Sequence, residues 1–355
     1  MTDQMKMLLV EDYPQNQKDC EDAVKDLLDD FGVEINLTIK GNVTEAIEAL
    51  QQEFYDCVII DMNLGDLELG GNDILDKIKA NLTRIPVAIM TGTPDASKIE
   101  GVPCIGIYTK GEDTYLEIIK QFNNIYASGM TKVLGGRGIF EGHLLDIFRQ
   151  SILPSYTKWA EYANADGSEE SEKAIASHVM NHLLDVIKSD RLHHYPEEFY
   201  IHKPGRSNIC TGSIFKRNSD QKYFVVLSPA CDLVERASGN CKTDRALLVE
   251  IDELQSVFPD ADLSAPLSNK NKGDLKNHMS FKTGHYHPFC QISGHISLNS
   301  FCNFRKVSNH TDQQLMDDFS LIDYQVSSAF IKDIIGRFSA YYARQGQPQI
   351  KYTES

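Results

Sequence analysis

Five residues in the first third of the sequence could act together. They are the adjacent acids Glu11 and Asp12, the acid Asp61, the hydroxyl of Thr91 and the amine of Lys110. Three carboxylates gathered in one place repel one another. A hard divalent cation relieves that repulsion, and Mg²⁺ suits carboxylate and water ligands. A lysine and a hydroxyl facing the same point can hold phosphoryl oxygens. The set therefore suits phosphoryl transfer onto a carboxylate, with the cation and the lysine offsetting the charge of the moving group. Taken singly, each residue is ordinary for a loop of an α/β protein. Only a fold that brings all five together makes them a site.

The elements that must do this read as alternating strands and helices. Strand patterns fall at "KMLLV" (6–10), "EINLTI" (34–39), "CVII" (57–60), "PVAIM" (86–90) and "CIGIY" (104–108). Helical spacing predicts helices over 20–32, 43–50, 72–82 and 114–122, the first stopped by Gly32. Five strands interleaved with helices imply a parallel sheet covered on both faces. In such sheets reactive groups collect at the carboxyl ends of the strands, beside the topological switch point. Glu11 and Asp12 follow the first strand, Asp61 the third, Thr91 the fourth and Lys110 the fifth. Asp61 is the most telling, because "YDCVIIDMNLGD" puts an acid directly after four buried-type residues.

This order of strands and strand-end residues resembles the receiver domain of two-component response regulators, an α/β, flavodoxin-like (βα)5 fold, over residues 1–125. The resemblance implies that Asp61 is the phospho-acceptor. It implies that Glu11 and Asp12 hold Mg²⁺ directly or through water, with Asp61 and the backbone carbonyl of Asn63 as further ligands. Thr91 would bond a phosphoryl oxygen on switching, and Lys110 would pair with the phosphate. A bacterial phosphorelay is implied, with a histidine kinase or phosphotransfer protein as the partner that phosphorylates Asp61. The alternative is a pseudo-receiver scaffold that keeps the fold without phosphorylation. No acceptor or metal position is missing, which favours the competent form.

Several positions depart from the family pattern. Leu64-Gly65 replaces the usual Met-Pro after the acceptor, and the loop "LGDLELGG" is longer than usual. Gly111 follows the lysine where proline is common, and the aromatic switch position holds Ile107, with Tyr108 one place late. Only "TGTPDASKIEGVP" separates the fourth and fifth strands, which leaves room for little of a fourth helix. That puts the conventional receiver dimer in doubt while leaving the phosphorylation residues in place.

Size and composition bound the rest. At 355 residues, two or three domains are expected, and 41% apolar residues suffice for real cores. The sequence shows no basic-then-apolar signal pattern and no apolar run near the roughly 18 residues of a membrane span. Eight cysteines in a chain of this length read as reduced thiols, so the expected compartment is the cytoplasm. Residues 1–125 carry 24 acids against 10 bases, a net of −14, while 126–355 carry 27 against 25, a net of −2. An acidic first domain repels nucleic acid, and nothing in the second recommends it as a partner.

Beyond the receiver we expect a helical connector over 126–199 and an α+β effector over 200–355. A helix over 138–156 would turn Phe140, Leu144, Leu145, Ile147 and Phe148 inward. A polar linker over 165–173 and a second helix over 174–188 would follow it. Residues 200–310 read as mostly strand, closed by a helix over 327–346 with Phe330, Ile331, Ile334, Ile335, Phe338 and Tyr342 on one stripe. "LSPACDL" and "RFSAYYARQGQP" faintly resemble C-terminal regions of uncharacterised bacterial signalling or defence proteins, which supplies no chemistry.

Two constellations in this region could carry chemistry. "HYHPFCQISGH" (285–295) with Cys231, Cys241 and Cys302 could gather zinc, but paired CxxC knuckles are absent. Cys231 could be a nucleophile with His285 or His287 as base, against the plainer reading of buried thiols and core histidines. The effector is thus read first as a protein-interaction module with an unknown target. A metal- or cysteine-dependent enzyme gated by phosphorylation is the alternative.

Overall fold

Met5–Val10 forms β1 as a run of buried apolar side chains broken only by Lys6. Both faces of this strand must therefore be covered. The computed structural model describes residues 4–65, 70–81, 83–92, 99–136, 138–188, 193–205, 208–233 and 243–344. The chain divides into two units, Met1–Asp190 and Arg191–Ser355.

In the first unit, β1 is followed by α1 (Pro14–Phe31), β2 (Ile35–Lys40), α2 (Val43–Gln52), β3 (Cys57–Ile60), α3 (Gly71–Ala80), β4 (Val87–Thr91), β5 (Cys104–Thr109) and α4 (Tyr115–Ala127). The strands lie parallel in the order β2-β1-β3-β4-β5. This is the flavodoxin-like order, with its switch point between β1 and β3. Alternate residues sort to opposite faces, as the two-residue period of a strand requires. Leu8, Val10, Val58, Ile60 and Ile89 pack with Ala46 of α2 and Ile74 and Ile78 of α3. Met7, Leu9, Cys57, Ile59 and Met90 pack with Cys20 and Leu27 of α1 and Ile118 and Phe122 of α4.

Local chemistry sets the ends of these helices. Pro14, whose ring pre-sets φ, opens α1, and Gly32 at φ 67 closes it. The Asn42 side chain accepts from the Glu45 N–H at 2.9 Å to cap α2. Thr114 and Glu117 form a reciprocal capping box on α4. No described residue between β4 and β5 is helical; residues 93–98 lie outside the described set. Every residue of β5 is only partly buried.

The same unit continues with α5 (Met130–Leu134), α6 (Ile139–Ile147), a π-helical turn (Phe148–Ile152), a 3-10 turn (Leu153–Ser155), α7 (Tyr156–Asp166) and α8 (Ser168–Lys188). Two expectations fail here. The stretch 165–173 is no linker: α7 and α8 are separated by Gly167 alone, at φ 94, and the polar run is helical. Glu169 and Glu170 both pair with Lys173 at 2.9 Å, the spacing that supports an exposed helix. The inward stripe of 138–156 also fails, since only Ile147 is buried and Phe140 is half-buried, while Leu144, Leu145 and Phe148 are exposed.

The second unit is an α+β domain. Its elements are β6 (Tyr200–His202), β7 (Ser213–Arg217), β8 (Tyr223–Val226), α9 (Ala230–Leu233), β9 (Arg245–Asp252), α10 (Leu254–Val257), α11 (Asn269–Met279), β10 (Tyr286–Phe289), β11 (Ser300–Thr311), α12 (Asp312–Asp318), β12 (Phe319–Val326) and α13 (Ser328–Ala343). Among the described residues, seven strands pair antiparallel in the order β10-β11-β9-β8-β7-β12-β6. Ile331 and Ile334 of α13 are buried against Val225, Val249 and Phe304. Tyr342, expected on that stripe, is exposed, though its hydroxyl donates to the Phe304 carbonyl at 2.9 Å. No helix among the described residues is long and apolar enough to cross a membrane.

Candidate functional site

The parallel sheet delivers all five strand-end residues to one end. Glu11 and Asp61 follow β1 and β3 directly, and their neighbouring backbones pair, with the Asp61 N–H donating to the Val10 carbonyl at 2.9 Å. Thr91 ends β4 and is fully buried, and its carbonyl accepts the Lys110 N–H at 3.1 Å. Donor atoms of Glu11, Asp12 and Asp61 lie within 4.8 Å of one another. Among the described residues this is the only group of three or more His, Cys, Asp or Glu side chains so placed.

Glu11 and Asp61 are almost completely buried, whereas Asp12 is exposed. Lys110 Nζ bridges the buried pair, 2.7 Å from Glu11 Oε2 and 2.8 Å from Asp61 Oδ2. Burial pushes the Asp61 carboxyl above its ordinary value, and the charge of Glu11 adds to this. Lys110 and the backbone N–H of Asn63 pull it partway back. Burial opposes charge on Lys110 as well, but its hydrogen bonds to Asp61 and Glu11 outweigh that and raise it above the usual lysine value.

The remaining lone pairs are held by residues that sequence reasoning did not single out. The Tyr13 N–H donates to Glu11 Oε1 at 3.1 Å, and the Tyr115 hydroxyl donates to Glu11 Oε2 at 3.3 Å. Burial, then the charge of Glu11, pushes the Tyr115 phenol well up, so it stays a donor. The Gly65 N–H donates to Asp12 Oδ2 at 2.8 Å, with Gly65 at φ 62, a conformation that favours glycine. Gly71 lets α3 start against the end of β3. A Cβ there would lie 2.6 Å from the Asp61 carbonyl oxygen and 2.8 Å from Met62 Cα. Tyr108, beside the expected switch position, donates to Gln121 Oε1 of α4 at 2.9 Å.

A carboxylate trio of hard oxygen donors, one of them exposed, fits a hexacoordinate cation that keeps several waters. The donor set matches Mg²⁺ better than a softer ion, because it holds neither thiolate nor imidazole.

The C-terminal constellations are arranged differently. His285 donates from Nδ1 to the Thr283 carbonyl at 2.8 Å. His287 is buried between the Pro288 carbonyl, 2.7 Å from Nδ1, and Asp333, 3.0 Å from Nε2. Burial lowers both histidines below the usual imidazole value. Cys302 is fully buried opposite His287 on the neighbouring strand, and burial pushes its thiol far up. The side chain of Cys231 and all of Cys241 lie outside the described residues. The unit also buries Asp252, which accepts from Asn303 Nδ2 at 2.7 Å and pairs with Lys306. Lys306 and Lys222 pair in turn with Glu250, at 3.0 and 2.8 Å.

Residues 7–108 match the family model described as the response regulator receiver domain. No curated protein matches the chain. Among solved structures, the chain is similar to the N-terminal domain of a response regulator/sensory box/GGDEF three-domain protein from Carboxydothermus hydrogenoformans. That match has 22% identity and a TM-score of 0.29, over 35% of this chain and 98% of the other. A second is the receiver domain of a sensor histidine kinase from Pseudomonas aeruginosa with a magnesium ion coordinated in the active-site cleft. It has 21% identity and a TM-score of 0.27, over 34% of this chain and 96% of the other. A third is the signal receiver domain of a Luxo repressor protein from Vibrio parahaemolyticus, with 21% identity and a TM-score of 0.30, over 37% and 98%.

Proposed function

Residues 7–108 are a response regulator receiver domain, and from that premise we propose that Asp61 receives a phosphoryl group from a histidine kinase or phosphotransfer protein. The observation that carries the reading is the buried acid Asp61 within reach of Glu11 and Asp12, with Lys110 Nζ 2.8 Å away. An Asp61 carboxylate oxygen attacks the phosphorus of a phosphohistidine. The new P–O bond forms as the P–N bond breaks, and the departing imidazole takes up a proton. Lys110, already charged beside Asp61, pairs with the incoming phosphoryl oxygens, and Thr91 supplies a hydroxyl to one of them.

Glu11, Asp12, Asp61 and the Asn63 carbonyl are the groups that would hold Mg²⁺. When bound, the ion neutralises charge on the transferring group. Glu11 is kept in place for this by Tyr13 and Tyr115.

In this reading the chain is a phosphorylation-controlled response regulator. Residues 1–125 receive the signal, 126–199 connect and 200–355 act on a protein target. The short stretch of sequence between β4 and β5 disfavours output through the usual receiver pairing. Phosphorylation instead repositions the helices after α4. Hydrogen exchange in residues 138–156 should change with a phosphoryl mimic, and change confined to the pocket would exclude this route.

Intact-mass measurement of wild type and Asp61→Asn, after treatment with a small phosphodonor and Mg²⁺, tests the acceptor. A single phosphoryl adduct on wild type alone is expected. An equal adduct on both proteins, or on neither, would overturn the assignment.

A further inference from the structure

The π-helical turn after α6 places Ser151 against two histidines of α8 that lie one turn apart. Ser151 Oγ is 3.0 Å from His178 Nε2 and 3.3 Å from His182 Nε2, and the two Nε2 atoms are 3.2 Å from each other. Three polar atoms thus form a nearly equilateral triangle. Hydrogen bonds satisfy it only when the two imidazoles hold opposite tautomers. A neutral imidazole Nε2 either carries a proton or offers a lone pair, and the hydroxyl has one proton to give. With the same tautomer on both, the two Nε2 atoms face each other across 3.2 Å as two lone pairs or as two N–H groups.

A cation at the apex uses all three lone pairs at once. Tetrahedral ligands about 2.0–2.1 Å from Zn²⁺ stand about 3.3 Å apart, close to the edges of 3.0, 3.3 and 3.2 Å found here. Histidines four residues apart on one helix face present their nitrogens to a single point, as zinc helices require. A π turn is itself a rare feature that concentrates at functional sites. The histidines are reachable from solvent, His182 being exposed and His178 half-buried.

We propose that Ser151, His178 and His182 bind a borderline divalent metal, Zn²⁺, through three protein ligands with the fourth position left to water. This site is separate from the carboxylates of the receiver and differs from them in donor chemistry, since imidazole selects against Mg²⁺. Occupancy ties the π turn to α8, so the metal fixes the packing of the helices that follow the receiver.

The protein carries its own reporter. Trp159, the single tryptophan of the chain, has its ring centroid 5.9 Å from that of His178. Co²⁺ titrated into the untagged full-length chain, with Mg²⁺ in excess to occupy the carboxylates, should quench Trp159 fluorescence saturably. Tetrahedral visible bands should appear at one equivalent, and Zn²⁺ should reverse both signals. His178→Ala and His182→Ala should each weaken binding by at least about tenfold. His182→Cys, which substitutes a thiolate ligand, should restore it, as no purely structural role for His182 would allow. Circular dichroism confirms that each variant is folded. An unchanged Co²⁺ response in the alanine variants, no saturable response in wild type, or failure of His182→Cys to recover binding would each overturn the proposal.

Discussion

Lys110 Nζ lies 2.8 Å from Asp61 Oδ2, so the acid read as the acceptor holds its own counter-charge before any ligand arrives. The same ammonium reaches Glu11 at 2.7 Å and is the main offset to two buried carboxylates that face each other. Replacing it by a neutral chain of similar length exposes that repulsion. Lys110→Met should lower stability by about 1–3 kcal/mol in urea unfolding without metal, as expected when one partner of a largely buried pair is removed. Mg²⁺ should recover more stability in this variant than it adds to wild type, by mass action on the native state. Asp12→Ala should remove the Mg²⁺ response while leaving the fold intact. A Lys110→Met protein as stable as wild type, with the same Mg²⁺ response, would show the ammonium to be incidental.

The raised carboxyl of Asp61 fixes the sign of a pH effect. Its folded value lies above 3.8, the ordinary aspartate value, with burial the largest cause. A group raised in this way contributes stability that is full below its unfolded value and is lost as pH rises through the folded one. At neutral pH, without metal, ionised Asp61 therefore works against folding. Asp61→Asn should be the more stable protein at pH 7, and its advantage should shrink as pH falls towards 4. Melting curves across that range decide it, and a wild type that is the more stable at pH 7 would reverse the sign.

Two glycines give opposite expectations for one substitution. Gly71→Ala would put a methyl 2.6 Å from the Asp61 carbonyl oxygen, so the start of α3 must retreat. Such overpacking costs about 1–3 kcal/mol and should slow phosphorylation by displacing the acceptor. Gly142 lies within α6 with nothing within 4 Å of an added Cβ. Gly142→Ala should stabilise the chain by about 0.5–1 kcal/mol, the usual gain of alanine in a helix. Equal effects at the two sites would mean that the close approach at Gly71 has no consequence.

The first sheet was legible because its signals are local and redundant. Each strand is a short buried run, each helix has its stripe, and Asp61 stands out at the end of "CVII". The partners of Glu11 were not legible. Tyr115 is far away in sequence, and only the packing of α4 on the sheet brings it close enough to donate to the acid after β1 at 3.3 Å. The helices after the receiver misled for a different reason. Apolar spacing in 138–156 predicts a buried stripe, yet Leu145 and Phe148 are exposed, because periodicity reports helicity and not what covers the face. The polar run 165–173 reads as a linker because aspartate, glycine and serine mark loops on average, although its glutamates favour helix. Salt bridges at helical spacing from Lys173 to Glu169 and Glu170 support the opposite outcome.

In the second unit, β12 lies between β7 and β6, so a strand near the end of the chain joins two made much earlier. Among the described residues, Tyr200–His202 pairs with no other strand, and β7 has β8 as its only other neighbour. As the chain leaves the ribosome, the receiver has every strand and helix it needs by about Ala127 and can close while synthesis continues. The second sheet has no such option. Its seam stays open until residues 319–326 emerge, with the unpaired edge of β7 available to any passing strand in the meantime. A premature stop between Val226 and Phe319 therefore leaves a finished receiver attached to an adhesive, half-built sheet.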